Sequence, residues 1–144
     1  MINTELDIEY LDVQILKAEI NNILDSPLQR GDNYQLSHKV TASHLYNLEK
    51  QLIRVIVDIE IVVLQNKKKV KAGAKFEIDN YFHYQGLQDY AHIDNSNNKL
   101  LIETKFSDIV KGLAYSTARG IVYSKLSGTF LEGTILPTKM STEV

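Results

Sequence analysis

The chain has 144 residues, 44% of them hydrophobic and 24% charged, with a net charge of −2 at pH 7. That size and composition predict one globular domain able to bury its own core, and exclude a chain disordered throughout. The absence of cysteine excludes disulfides, zinc–thiolate sites and thiol nucleophiles, and 16 basic against 18 acidic residues give no concentrated positive surface of the kind a nucleic-acid binder needs.

The opening Met1-Ile2-Asn3-Thr4-Glu5-Leu6-Asp7 lacks the basic start and apolar run of a signal peptide. No apolar stretch approaches the ~20 residues that span a bilayer. A cytoplasmic chain without membrane insertion is expected.

The first alternating segment is residues 8 to 17, where Leu11, Val13 and Ile15 share one side and Asp12 and Gln14 break up the other. It predicts a strand, and a short helical turn over Ala18 to Leu24 is the competing reading of that region. Turn residues come next, at Asp25-Ser26-Pro27 and Arg30-Gly31-Asp32-Asn33. A second strand is expected over Tyr34 to Tyr46.

Residues Gln51 to Leu64 give the clearest strand. Ile53, Val55, Val57, Ile59, Ile61 and Val63 fall on one face, and Leu52, Arg54, Ile56, Asp58, Glu60 and Val62 on the other. β-Branched residues favour this state, and two carboxylates on one face predict that this face meets water. A polar hairpin tip is expected over Gln65 to Val70, with Lys67-Lys68-Lys69 solvated there. Alternation resumes over Lys71 to Gln85, with Ala72, Ala74, Phe76, Ile78, Phe82 and Tyr84 opposite Lys71, Lys75, Glu77, Asp79, Tyr81 and His83. An antiparallel sheet with one wet face produces this pattern.

After a loop at Asp94-Asn95-Ser96-Asn97-Asn98, the spacing predicts one helix over Leu101 to Leu126. Phe106, Ile109, Val110, Leu113, Thr117, Gly120, Ile121 and Ser124 form a stripe, which Ala114, Ala118, Val122 and Leu126 widen. A helix apolar on more than one face predicts contacts on two sides, with its own sheet and with a second subunit. Leu113, Tyr115, Ala118, Arg119, Gly120 and Val122 are the candidates for oligomer contact or helix packing. Arg119, a charge between small residues, is expected to make an ion pair or carbonyl contact that fixes packing. Gly120 is expected to admit a neighbouring element. Gly128 is the expected terminator, Thr129 to Met140 an irregular arm or short strand, and 141–144 a frayed tail.

No catalytic constellation emerges. His38, His44, His83 and His92 have no metal-ligand spacing, no serine lies in G-x-S-x-G, and there is no glycine-rich phosphate loop. A non-enzyme without cofactor or metal is expected. Tyrosine is abundant, at 8 residues. Such side chains give large contact area with one polar end, which suits variable partners. Tyr34, Tyr46, Tyr81, Phe82, His83 and Tyr84 are the candidates for contacting another chain.

The run Ala114-Tyr115-Ser116-Thr117-Ala118-Arg119-Gly120-Ile121-Val122-Tyr123, then Gly128-Thr129-Phe130 and Ile135-Leu136-Pro137, resembles the C-terminal half of SecB-type export chaperones. In that family a long helix carries an Ala-Arg pair and leaves through a Gly-Thr step into an apolar segment with a proline. The strand rhythm ahead of it, Phe76-Glu77-Ile78-Asp79-Asn80-Tyr81-Phe82, matches as well. The resemblance extends in layout over residues 6 to 140.

It implies a single α+β domain over 1–144, a four-stranded antiparallel sheet packed with a long C-terminal helix. It also implies assembly as a dimer or dimer of dimers, a homotetramer, through the helices. The implied activity is ATP-independent holding of unfolded polypeptides in apolar surface grooves, for delivery to the Sec translocase motor or protection of an antitoxin. The tail Ser141-Thr142-Glu143-Val144 lacks the cysteines of the metal-binding tail that docks export members to the motor. A chaperone role therefore fits better than dedicated export, and the alternative is an adaptor for a single partner.

Overall fold

A computed structural model describes residues 7–138. Four strands, β1 (Glu9–Asn21), β2 (Gln35–Asn47), β3 (Leu52–Gln65) and β4 (Lys68–His83), form an antiparallel sheet in the order β1-β4-β3-β2. A short 3-10 turn (Leu87–Tyr90) leads into a small hairpin of β5 (Ala91–Asp94) and β6 (Lys99–Ile102), and the chain then enters α1 (Thr104–Lys125). This is the expected α+β arrangement.

The central strands follow their sequence pattern. Ile53, Val55, Val57, Ile59, Ile61 and Val63 are all buried beneath α1, while the alternate residues of β3 are half-buried on the open face. Helix α1 lies mainly over β3, with less contact to β2 and β4. Its buried line is Phe106, Val110, Ala114, Ala118 and Val122, flanked by Ser107 and Tyr115. Recurrence at every fourth residue keeps this line on one face, and each fully buried Val or Phe contributes roughly 1.5–3 kcal/mol. Of the stripe expected from sequence, Leu113 and Gly120 are exposed, and Ile109, Thr117 and Ile121 are only half-buried. The residues expected merely to widen the stripe form its centre.

Three local expectations need correction, while the expected loop after Asp94 is present as the turn of the β5–β6 hairpin, held by Asn97 N–H donating to the Asp94 carbonyl at 3.2 Å. Helix α1 starts at Thr104, because Leu101 and Ile102 are taken into β6. Strand β1 runs to Asn21, so no helical turn forms at Ala18. The β3–β4 tip is two residues, Asn66 and Lys67, both with positive φ (53° and 63°), and Lys68 to Val70 already belong to β4. Two positive φ values match the right-handed twist of the strands.

The arm after α1 is irregular, as expected. Gly128 turns at φ 83°, and Leu126, Leu131 and Leu136 are buried in the core. Met140 and the 141–144 tail lie outside the described residues.

Candidate assembly and polypeptide-binding surface

Strand β1 is the outer edge of the sheet and is shifted in register at two places, between Tyr10 and Asp12 and between Ile15 and Lys17. The extra residues, Leu11 and Leu16, lack partners on β4. Each bulge flips the alternation. Tyr10, Val13 and Ile15 therefore pair with Phe82, Asn80 and Ile78 on the face that carries α1, whereas the sequence pattern put Leu11 with Val13 and Ile15. The helix does not reach far enough to cover this strand. Tyr10, Val13 and Ile15 remain 38%, 37% and 42% exposed, and Leu11 and Leu16 47% each.

One flank of α1 borders this strip. Thr117 lies close to the Tyr10 hydroxyl and partly offsets the rise in the Tyr10 pKa that burial causes. The same hydroxyl donates to Asn80 Oδ1. Leu113 and Gly120 lie one helical turn either side of Thr117 on this flank. Leu113 is 41% exposed, and among the described residues nothing beyond the helix's own neighbouring backbone comes within 4 Å of where a Gly120 Cβ would stand. Gly112 is equally open. An edge strand with unpaired main-chain groups thus runs beside an apolar helix flank, and glycines there would let another backbone approach.

The six expected contact residues do not converge on one site. Phe82 is fully buried against Tyr10, with ring centroids 4.4 Å apart, so it is a core residue. Tyr81 lies on the opposite face, where its hydroxyl donates to Asp79 Oδ2 at 2.8 Å beneath Arg54. That hydrogen bond to Asp79, made by the neutral phenol, raises its pKa. His83, on the same face, lies 3.6 Å from Glu9. Tyr84 packs with Tyr90 and Phe106 under the start of α1. Tyr46 is half-buried, its pKa pushed up to about 12 by burial, and it shares a 2.9 Å hydrogen bond with His44 Nδ1. Tyr34 donates to the Phe130 carbonyl at 2.7 Å and meets the Phe130 ring edge-on, which ties the β1–β2 loop to the arm.

The helix candidates divide by face. Tyr115, Ala118 and Val122 are buried in the chain's own core, and Tyr115 also donates to the Pro137 carbonyl at 2.7 Å. They serve helix packing, and only Leu113 and Gly120 are exposed. Arg119 makes no ion pair among the described residues, and its buried Nε finds no hydrogen-bond partner there. The expected packing contact is absent from this set.

On the open face Asp79 is buried, contrary to its place in the polar alternation. Arg54 donates to both of its oxygens at 2.8–3.0 Å. Asp58 and Glu77 stand directly opposite across β3 and β4. Burial first, then the facing Glu77 carboxyl, raise the Asp58 pKa. Among the described residues no cluster of three or more His, Asp or Glu could hold a metal ion, and no helix is long and apolar enough to cross a membrane.

Sequence reasoning missed Tyr10, the exposed strip of β1 and the β5–β6 hairpin, whose Ile93, Leu100 and Leu101 are exposed. Bulges have no periodic signal, and four-residue strands are too short to display one.

This arrangement is similar in fold to that of a SecB-like chaperone. The chain superposes on a Mycobacterium tuberculosis SecB-like chaperone, Rv1957, solved in complex with a ChAD peptide from the HigA1 antitoxin. The TM-score is 0.55 at 14% sequence identity, covering 90% of this chain and 88% of that one. At this identity the likeness establishes the fold. No family model matches the sequence, and no curated protein matches it.

Proposed function

We propose that this chain is a non-catalytic, cytoplasmic chaperone subunit that assembles with copies of itself and holds non-native polypeptides without ATP. The observation that carries the reading is the uncovered apolar strip of β1 beside the Leu113–Gly120 flank of α1, on a SecB-like fold. A strip of that kind on an edge strand is an aggregation hazard unless another chain covers it. Self-association through β1 and α1 would extend the sheet across two subunits, and a two-fold contact of this type gives a dimer or a dimer of dimers.

Client contact then falls to the half-buried aromatics at two separate places, Tyr34 against the arm and Tyr46, His83 and Tyr84 near the other end of the sheet, and not to Phe82. Delivery of clients to a translocase is one use of such holding. A second reading, an adaptor dedicated to one partner such as an antitoxin, is favoured by the antitoxin peptide bound to the mycobacterial neighbour.

Suppression of aggregation of a chemically unfolded protein, with the mass of the assembly from light scattering, tests the reading. Suppression near one oligomer per client without nucleotide supports holding. A stable oligomer that suppresses nothing supports the dedicated adaptor.

A further inference from the structure

The end of the sheet opposite the strand termini at Glu9 and His83 carries a feature that neither holding nor self-assembly uses. Strand β1 stops at Asn21, opposite Gly73, while β4 continues back to Lys68. The register between β3 and β4 jumps there from Val62–Gly73 to Leu64–Lys69, so Val70, Lys71 and Ala72 have no strand partner on either side. Gly73 makes this departure possible. Its φ is 151°, and a Cβ would stand 2.1 Å from the Ile61 carbonyl oxygen. The chain after Asn21 does not fill the gap. Asn22 turns it away by bonding both the N–H and the carbonyl of Leu28, at 2.9 and 3.0 Å. No main-chain bond joins the β1–β2 loop to β4 among the described residues.

What remains is an open cleft of about 660 Å³ between the loop residues Ile23–Asp25 and the unpaired stretch of β4. Its apolar side includes Ile23, Val70, Ala72 and Leu24, the last 93% exposed. Lys69, Lys71 and Lys75 line the cleft, and Lys67 and Lys68 directly precede them in the chain. Lys75 approaches Glu60 at 3.9 Å, but Lys67, Lys68, Lys69 and Lys71 make no ion pair among the described residues. Asp25 and Glu60 are the carboxylates lining the cleft, and Glu60 is the one already facing Lys75.

We infer that this cleft binds an extended acidic segment of a partner polypeptide, which adds as a short strand in line with β1, along the open edge of β4. Main-chain bonds to Val70–Ala72 would supply affinity, alternate apolar side chains would enter between Leu24 and Val70, and acidic side chains would meet the lining lysines. A nucleic acid would also meet lysines, but it has no use for an unpaired strand edge or an apolar wall.

The probe is a fluorescein-labelled octapeptide alternating Val and Glu, read by anisotropy against the full chain. Its controls are the Val–Lys counterpart and a Val–Glu peptide N-methylated at alternate amides. The Val–Glu peptide is expected to bind, and both controls are expected to fail. The Lys69→Glu/Lys71→Glu double variant, altered only at exposed side chains, is expected to raise the dissociation constant about tenfold or more. It should retain the parent's circular dichroism and aggregation suppression, which separates failure here from failure of the holding function. Equal binding of the Val–Lys or the N-methylated peptide would overturn the proposal. So would an unchanged constant in the double variant, or an RNA dodecamer that binds and excludes the Val–Glu peptide regardless of N-methylation.

Discussion

Arg54 grips both oxygens of Asp79 from the neighbouring strand, at 2.8–3.0 Å, and Asp79 is only 1% exposed although it lies on the open face of the sheet. The Tyr81 hydroxyl completes the cluster on the same carboxylate. The arginine, itself 40% exposed, roofs the acid and keeps one edge in water. A carboxylate left in this position without its donors bears its desolvation alone. Arg54→Leu is therefore expected to lower the melting temperature more than Tyr81→Phe does, and more than Arg54→Leu combined with Asp79→Leu. Thermal melting of the variants checks the order.

The Asp58–Glu77 pair has the opposite character. Asp58 holds its proton more tightly in the folded chain than in the unfolded one, because burial and then the facing Glu77 disfavour its charge. An acid whose folded pKa is raised contributes stability below that pKa and loses it as pH rises through it. Asp58→Asn should thus raise the melting temperature at pH 7. The gain should shrink toward pH 4, as the parent's Asp58 takes up its proton. Melting curves at the two pH values give the difference and its sign.

Gly73 is the one glycine whose replacement meets backbone at once. Gly73→Ala combines a positive φ with a Cβ against the Ile61 carbonyl. It is expected to destabilise the fold by at least about 1–3 kcal/mol, the usual range for such backbone strain. Urea denaturation measures the loss.

Gly120 behaves in the reverse way. In the single chain its Cβ position is empty, so Gly120→Ala should stabilise α1 by up to about 1 kcal/mol through helix propensity. Gly120→Leu should leave the monomer folded yet dissociate the oligomer, if a second backbone packs on this flank. Ile15→Glu and Leu113→Glu, at half-exposed positions, should act likewise at a cost of about 1 kcal/mol or less to the isolated chain. Light-scattering mass and circular dichroism, taken together, separate the two effects.

Phe82→Ala is a core truncation. It is expected to cost about 3–5 kcal/mol of stability, with any loss of client binding following the unfolded fraction alone. Binding measured well below the variant's melting temperature checks this.

The central sheet and the helix could be read from sequence because their signals are periodic. The six alternate apolar residues of β3 have one possible burial once the strand is assigned, whereas the apolar recurrence of α1 marks a helix without fixing its buried face, since Ala114, Ala118 and Val122, expected at the margin of the stripe, form its centre. The site was less legible. The bulges at Leu11 and Leu16 reverse which residues of β1 lie beside the helix, and bulges arise from three-dimensional pairing with β4. Asp79 reads as a solvated residue because its concealment depends on Arg54, 25 positions away. The aromatic candidates were chosen by residue type, and type does not distinguish Phe82 in the core from Tyr34 at the loop.

The holding function is tested most directly by titrating the purified protein against a fluorescently labelled, permanently unfolded protein, with the native form of the same protein as control. Saturable binding of the unfolded form without nucleotide, weakened by Tyr34→Ala and absent for the native form, is the expected result. No binding of the unfolded form, or equal binding of the native one, would contradict a holding chaperone on this fold.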